Sequence, residues 1–450
     1  MTKKKTTYVC LECGASFPTW SGKCSSCGSW NTLVEEKIEK KKKNFSPPKI
    51  YERPQPIKNI KKEDSLKRIS TGIPSLDEAL GGGIVKGQVL LVSGEPGIGK
   101  STLLLQISSN IAKERKVLYI TGEESAQQVY IRGERINALS ENLFVFSETN
   151  LETILSVIEN ENPSFVVLDS VQTVYSQDIE SAAGSVSQVR EVSGRITELA
   201  KSKGISTIIV GQVTKEGSIA GPKVLEHIVD TVAHFEGERG HAYRVLKVIK
   251  NRFGAAGEMA VFSMKDTGLE EVKNPSSFFL SERPVGQPGS IIFPYTEGSK
   301  PVLIEVQSLV SKTVYAVPQR RAQGLDLNRL SIVIAILERY GNIFLKDRDV
   351  FANVVGGITV KEPALDLPLA IAIASSFRGI PVKKNVSAFG EIGLTGEVRS
   401  VHYTEHRIKE AKKFGFDKII VPASVDIDDS SLIKVRNIQE ALSIISEEEL

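Results

Sequence analysis

Val89-Leu90-Leu91-Val92-Ser93-Gly94-Glu95-Pro96-Gly97-Ile98-Gly99-Lys100-Ser101-Thr102-Leu103-Leu104-Leu105-Gln106 is the stretch that decides the fold. An apolar, β-rich run enters a glycine-rich loop, and a segment of helical character leaves it. Strand, loop and helix in that order form the context in which Gly-x-x-x-x-Gly-Lys-Ser works as a phosphate-binding loop. Glycines let backbone N–H groups wrap a phosphate where a β-carbon would obstruct, and the helix N-terminus adds partial positive charge. The pattern predicts that Gly94, Glu95, Pro96, Gly97, Ile98, Gly99, Lys100, Ser101 and Thr102 cradle a nucleoside triphosphate, ATP. Lys100 would reach the β- and γ-phosphates, and the Ser101 hydroxyl would ligate Mg2+.

Working outward, apolar runs recur at Val117-Leu118-Tyr119-Ile120, Phe165-Val166-Val167-Leu168 and Thr207-Ile208-Ile209-Val210. Helical stretches separate them, such as Leu151 to Glu159 and Val186 to Lys203. Strands alternating with helices predict an α/β fold around a mostly parallel sheet covered on both faces. Ligands of such sheets sit beyond the carboxyl ends of the strands. Three strand ends supply polar candidates. Asp169 is a Walker-B-type carboxylate that would hold Mg2+ directly or through water. Glu123 or Glu124 would polarise the attacking water, and Gln212 would sense the γ-phosphate through its amide.

At 450 residues, with 41% hydrophobic and 25% charged residues, the chain has the composition of two or three ordinary globular domains. No apolar run approaches the ~18 residues of a membrane span, and Leu367 to Ser376 reads as a buried helix. The N-terminal lysines are not followed by an apolar signal core. A cytoplasmic protein without a membrane partner is expected. The net charge of +3 hides an uneven spread: Lys37 to Arg68 holds twelve Lys/Arg and four Asp/Glu, a local +8, which leaves −5 elsewhere. With Pro47, Pro48, Pro54 and Pro56, residues 36–65 read as an extended basic linker.

All four cysteines precede that linker, as Cys10-x2-Cys13, ten residues, then Cys24-x2-Cys27. Two such knuckles close a tetrahedral four-thiolate zinc site, a structural one because no position is left open to water. Gly14 and Gly28 follow the second cysteine of each knuckle, where the turn favours glycine. Trp20 and Trp30 are expected to pack on this small module, with base stacking as the alternative.

Beyond Lys203, Tyr243 to Ile249 reads as a strand delivering Lys250 and Arg252 at its end. Cations there reach a phosphate bound by a neighbouring subunit, as arginine fingers do, or contact DNA. The glycine-containing polar segments Tyr175 to Ser187 and Thr214 to Val224, with Lys223, have a mobile character that suits DNA contact.

Ser70-Thr71-Gly72-Ile73-Pro74-Ser75-Leu76-Asp77, Gly94 to Ser101, Gly122-Glu123-Glu124-Ser125 and Lys250-Asn251-Arg252-Phe253-Gly254 together resemble the RecA-type ATPases. The last pentapeptide, with the four-cysteine module in front, is similar to the bacterial RadA (Sms) family of DNA repair. The resemblance implies a homo-hexameric ring using ATP, Mg2+ and Zn2+. It also implies movement on single-stranded and branched DNA, branch migration of recombination intermediates, and work beside a RecA-type recombinase. The two polar segments would line the ring's central channel.

Past Asp266 the pattern changes, with strands at Val302 to Gln307 and Val314-Tyr315-Ala316-Val317 and helices at Leu327 to Tyr340, Leu367 to Phe377 and Thr404 to Phe414. This part is similar to the proteolytic domain of Lon proteases. The positions of the Ser-Lys dyad that the resemblance implies fall at Asp366 and near Glu405, which cannot act as nucleophile and base. The expected organisation is a zinc module at 1–35, the linker at 36–65, a RecA-like ATPase domain at 66–268 and an α+β Lon-like domain without the dyad at 269–450. A DNA-dependent ATPase of helicase type is the leading reading. An ATP-dependent Lon-like protease and a non-motor ATP switch are the alternatives.

Overall fold

The computed structural model describes residues 5–11, 14–38, 56, 67–212, 225–237, 243–281, 283, 284, 286–296, 298 and 300–446. The chain divides into two compact units, Met1–Glu271 and Val272–Leu450. In the first unit, β1 (Lys5–Cys10), β2 (Ser16–Phe17) and β3 (Leu33–Ile38) pair antiparallel in a small sheet with β1 at its centre. There follow β4 (Arg68–Ile69), α1 (Pro74–Ala79), β5 (Ile84–Val85), β6 (Val89–Gly94), α2 (Lys100–Ala112), β7 (Val117–Thr121), α3 (Ala126–Arg135) and β8 (Leu143–Ser147). The unit closes with α4 (Leu151–Glu161), β9 (Phe165–Asp169), α5 (Val186–Lys203), β10 (Ser206–Gln212), β11 (Thr231–Glu236), β12 (Tyr243–Asn251), β13 (Met259–Lys265) and β14 (Gly268–Glu271).

Among the described residues nine of these strands share one sheet, in the order β14-β13-β12-β11-β6-β10-β9-β7-β8. From β11 to β8 neighbours run parallel, and β12 to β14 extend the sheet as an antiparallel meander. Every residue of β6, β7 and β9 is buried. Helices cover both faces, so these strands read as unbroken apolar runs rather than alternating ones. One apolar cluster gathers Leu103, Leu104, Tyr119 and Phe235, and the other gathers Leu151, Ile154, Val189 and Ile196 on the opposite face. Side chains set the helix starts. The Ser125 hydroxyl accepts from Gln128 N–H at 3.3 Å, and Asn150 Oδ1 accepts from Thr153 N–H at 2.9 Å. Gly204, left-handed at φ 67°, ends α5.

The second unit comprises α6 (Pro275–Leu280), β15 (Ser290–Tyr295), β16 (Val302–Lys312), β17 (Arg320–Gln323), α7 (Leu327–Tyr340), β18 (Arg348–Val354), α8 (Asp366–Arg378), β19 (Val386–Ala388) and β20 (Glu391–Ile392). It ends with β21 (Val398–Arg399), α9 (Thr404–Lys413), β22 (Lys418–Pro422), β23 (Leu432–Val435) and α10 (Ile438–Ser446). A mixed sheet runs β17-β18-β16-β15-β19-β22-β23, with α8 against β15 and β16. Asp366 to Ser375 of α8 are buried without a break, as befits a helix apolar on all sides.

One expected strand is absent. Val314-Tyr315-Ala316-Val317 is an irregular loop, with Val314, Tyr315 and Val317 exposed. Ladder pairing of β16 with β18 stops at Lys312↔Arg348. Beyond that point the Thr313 hydroxyl accepts from Tyr315 N–H at 3.2 Å, a local turn that competes with strand. Among the described residues no helix is long and apolar enough to cross a membrane.

Candidate active site

The loop after β6 is built for close backbone approach. Gly97 and Gly99 are left-handed, at φ 78° and 111°. A β-carbon on Gly94 would strike the Phe235 carbonyl oxygen, and one on Gly99 would lie 2.9 Å from Met264 Cε. Lys100 opens α2 and is 6% exposed. Its ammonium folds back across the loop, donating to the Gly94 and Glu95 carbonyls at 2.9 and 2.8 Å. Burial lowers its pKa against the opposing pull of Asp169, Glu123 and Glu95. A buried cation at a glycine-lined helix N-terminus fits a polyphosphate.

The neighbouring strand ends converge on this point. Asp169, buried at the end of β9, accepts from the Tyr119 hydroxyl of β7 at 2.6 Å. Burial, then the Asp169 charge, pushes the Tyr119 phenol well above its usual range, so it stays a donor. Ser101 and Asp169 supply the hard oxygen donors that Mg2+ takes. Glu123 is exposed, and its Oε1 accepts from the Ser170 hydroxyl at 2.5 Å and from Gln212 Nε2 at 2.7 Å. The structure therefore brings Glu123, Ser170 and Gln212 together across the ends of β7, β9 and β10. Glu124 is turned elsewhere, into an ion pair with Arg132 of α3. Arg244 of β12 is buried and braces the loop, Nε donating to the Ile98 carbonyl at 3.1 Å. Tyr119, Ser170, Arg132 and Arg244 carried no motif in the sequence.

Lys250, Asn251, Arg252, Phe253 and Gly254 lie at the opposite end of the sheet. Register places Asn251 beside Thr231, and Thr231 beside Leu90 at the start of β6. Lys250 sits level with Leu91, so about 10 Å of strand separates it from the cradle in its own chain. Its ammonium points further away, donating to the Glu226 and Val229 carbonyls at 2.5 and 2.9 Å. Burial, and then Arg252, lowers its pKa. Arg252 and Lys201 both meet Asp230 Oδ1, at 3.2 and 2.9 Å. Asn251 Nδ2 donates to the Leu80 carbonyl at 3.2 Å, and Arg68 Nη2 donates to the Phe253 carbonyl at 2.7 Å. A β-carbon on Gly254 would lie 3.2 Å from Gly81 Cα.

In the N-terminal module, Cys10, Cys24 and Cys27 place their sulfurs within 4.8 Å of one another. Cys10 Sγ and Cys27 Sγ are 3.7 Å apart. That is the edge of a tetrahedron with Zn–S bonds of ~2.3 Å, about 3.8 Å, and far from a disulfide. Cys13 lies outside the described residues. The two knuckles repeat each other: Gly14 and Gly28 N–H donate to the Cys10 and Cys24 carbonyls, both at 2.8 Å, with φ of 69° and 77°. The donor set fits Zn2+. Arg190 of α5 donates to the Gly14 carbonyl at 3.3 Å, and Val9 joins the apolar cluster under α5. Trp20 and Trp30 depart from the packed placement expected, being 57% and 69% exposed.

Of the two polar segments, Tyr175 to Ser187 is pinned rather than mobile in form. Buried Gln188 Nε2 donates to the Ser176, Ile179 and Ser181 carbonyls at 3.1, 2.9 and 3.0 Å. Thr214 to Val224, including Lys223, lies outside the described residues. In the second unit Asp366 opens α8, buried, and accepts from Arg329 Nε and Nη2 at 2.5 and 2.9 Å and from Ile392 N–H at 3.2 Å. Glu405 stands exposed in the first turn of α9.

A family model of the KaiC ATPase matches residues 69–144 and 144–274. A rubredoxin metal-binding domain matches 8–35, and the ChlI subunit of Mg-chelatase matches 329–425. The chain is 56% identical to the DNA repair protein RadA of Aquifex aeolicus (strain VF5), over 99% of this chain and 100% of that one. It is 48% identical to the DNA repair protein RadA of Bacillus subtilis (strain 168), over 98% and 99%. A solved KaiC-like protein from Pyrococcus horikoshii OT3 aligns with 46% of this chain and 99% of its own, at 20% identity and a TM-score of 0.39.

Proposed function

The chain belongs to the DNA repair protein RadA family, and from that premise we propose that it is a DNA-dependent ATPase motor of the hexameric helicase type. It binds single-stranded or branched DNA and drives branch migration of recombination intermediates, beside a RecA-type recombinase. One observation supports the reading: the two ends of the nine-stranded sheet carry two separate groups of charged side chains. Lys100, Ser101, Asp169 and Glu123 gather at the carboxyl ends. Lys250 and Arg252 lie at the other end, beyond reach of their own cradle. Stacking like subunits around a ring is the simplest arrangement that joins the two groups.

In this reading the cradle N–H groups and Lys100 hold the β- and γ-phosphates, and Ser101 and Asp169 would hold Mg2+, which would supply charge neutralisation at those phosphates. Glu123, fixed by Ser170 and Gln212, orients and polarises the attacking water. Gln212 links that carboxylate to the γ-phosphate and hence to DNA. Lys250 and Arg252 leave their carbonyls and Asp230 to stabilise the transition state bound by a neighbour. Cys10, Cys13, Cys24 and Cys27 would hold Zn2+, which would tie the N-terminal module together. The second unit, with Asp366 buried against Arg329, is a Lon-like scaffold without peptidase chemistry.

Single-stranded DNA is expected to raise ATP turnover several-fold in the intact protein and to do nothing in Lys100→Ala. The KaiC match supports one second reading, a non-motor ATP switch. Turnover indifferent to DNA would favour it and remove the motor.

A further inference from the structure

Asp169 is held from behind. Tyr119 stands on β7 opposite Val167 of β9, and Thr121 stands opposite Asp169. The phenol therefore reaches along one face of the sheet to a carboxylate two positions on, a diagonal within the span of an aromatic side chain. The tyrosine is 1% exposed and packs in the apolar cluster with Leu104 and Val167, so its hydroxyl does not swing out to water. Oη donates to Asp169 Oδ2 at 2.6 Å, and among the described residues this is the one hydrogen bond the carboxylate makes. The two strand ends are tied by backbone as well, Gly122 N–H donating to the Asp169 carbonyl at 2.9 Å.

Phenylalanine would fill the same apolar space. A buried hydroxyl calls for a partner, yet two buried polar groups that only satisfy each other can both give way to apolar ones at little loss. The pair therefore points to a task for Asp169. That residue is the first of the carboxylates whose charge acts on buried Lys100, which sets it at the cradle. A carboxylate has two oxygens. The phenol takes Oδ2, which leaves Oδ1 for a cation or its water. Mg2+ demands near-ideal octahedral geometry, so a carboxylate free to rotate serves it poorly. We propose that Tyr119 is a positioning residue for the metal: it fixes the Asp169 carboxylate so that Oδ1 faces Mg2+. This rests on the reading above that Ser101 and Asp169 hold Mg2+, and adds a residue that sets the affinity. Groups standing behind a metal ligand in this way are worth about 10- to 100-fold in metal affinity.

Binding of a fluorescent, non-hydrolysable ATP analogue to the full-length protein, titrated with Mg2+, separates the metal from the nucleotide. Tyr119→Phe keeps the ring and removes the hydroxyl. It is expected to bind the analogue without metal as the parent does, and to need about tenfold more Mg2+ for the same gain in affinity. In an Asp169→Asn background the same substitution should move the Mg2+ requirement by less than about twofold, because the route to the metal is already cut. An unchanged Mg2+ requirement in Tyr119→Phe, or a shift of equal size in both backgrounds, would overturn the proposal. Loss of metal-free affinity would make the hydroxyl a structural group and overturn it too. If Asp169→Asn alone leaves the Mg2+ requirement at the parental value, Asp169 is no part of the metal site, and the proposal falls with that reading.

Discussion

Two helix N-termini in this molecule meet the same electrostatic situation in opposite ways. Unpaired N–H groups give any such end a partial positive charge that calls for an anion. Neither end has a side-chain cap, and at α2 the chain places glycines and a buried lysine there. At α8 it brings its own anion: Asp366 sits in the first turn, locked by Arg329 and Ile392 N–H. One end carries glycines and a cation, and the other a carboxylate held by an ion pair with Arg329. The contrast separates a unit whose chemistry needs a nucleotide from a unit whose corresponding position is closed by an internal ion pair.

Removing the cation at α2 should have the largest effect. Lys100→Ala is expected to cut ATP turnover by about 100-fold or more, as loss of a preorganised transition-state charge does. Glu123→Gln should approach the same loss, while Glu124→Gln, whose carboxylate is committed to Arg132, should stay within about threefold in turnover. Equal losses in the two would erase the distinction drawn from geometry.

Removing the carboxylate at α8 should show in stability and not in chemistry. Asp366→Ala strands a half-buried guanidinium, so denaturant unfolding of the second unit should lose about 3 kcal/mol. Casein should survive incubation with that variant as it does with the parent. Peptide cleavage by either would reopen the protease reading.

A finer test uses pH. Burial holds the Lys100 pKa below its ordinary 10.5, so its proton is lost at lower pH than from an exposed lysine. The charged form binds triphosphate, so ATP affinity should fall as pH rises through that lowered value, with proton uptake on binding. Calorimetry in two buffers of different ionisation enthalpy measures that uptake. The smallest effect concerns the far end of the sheet: Gly254→Ala crowds Gly81 and should cost about 1 kcal/mol.

The sheet's centre was legible because parallel central strands are apolar on both faces, which makes β6, β7 and β9 stand out as continuous runs. The stretch read as helical, Val186 to Lys203, matches α5, which the structure shows to be capped by Ser185 and ended by left-handed Gly204. The choice between Glu123 and Glu124 was not legible. It depends on Ser170 and Gln212, 47 and 89 residues further on, and a sequence does not show which of two adjacent carboxylates faces distant partners. The parking of Lys250 on the carbonyls of Glu226 and Val229 was hidden for the same reason. Val314 to Val317 misled because apolar, β-branched composition reports what a strand would bury, not whether a neighbouring strand is there to pair with it.

The claim on which the account turns is that cations of one subunit complete the site of another. Mixing Lys100→Ala with Lys250→Ala, each nearly inactive alone, tests it most directly. An intact cradle from the Lys250→Ala chain then meets an intact cation from the Lys100→Ala chain, and DNA-stimulated turnover should reappear at a fraction of the parental rate. A mixture no more active than its components, at concentrations where the two co-assemble, would contradict it.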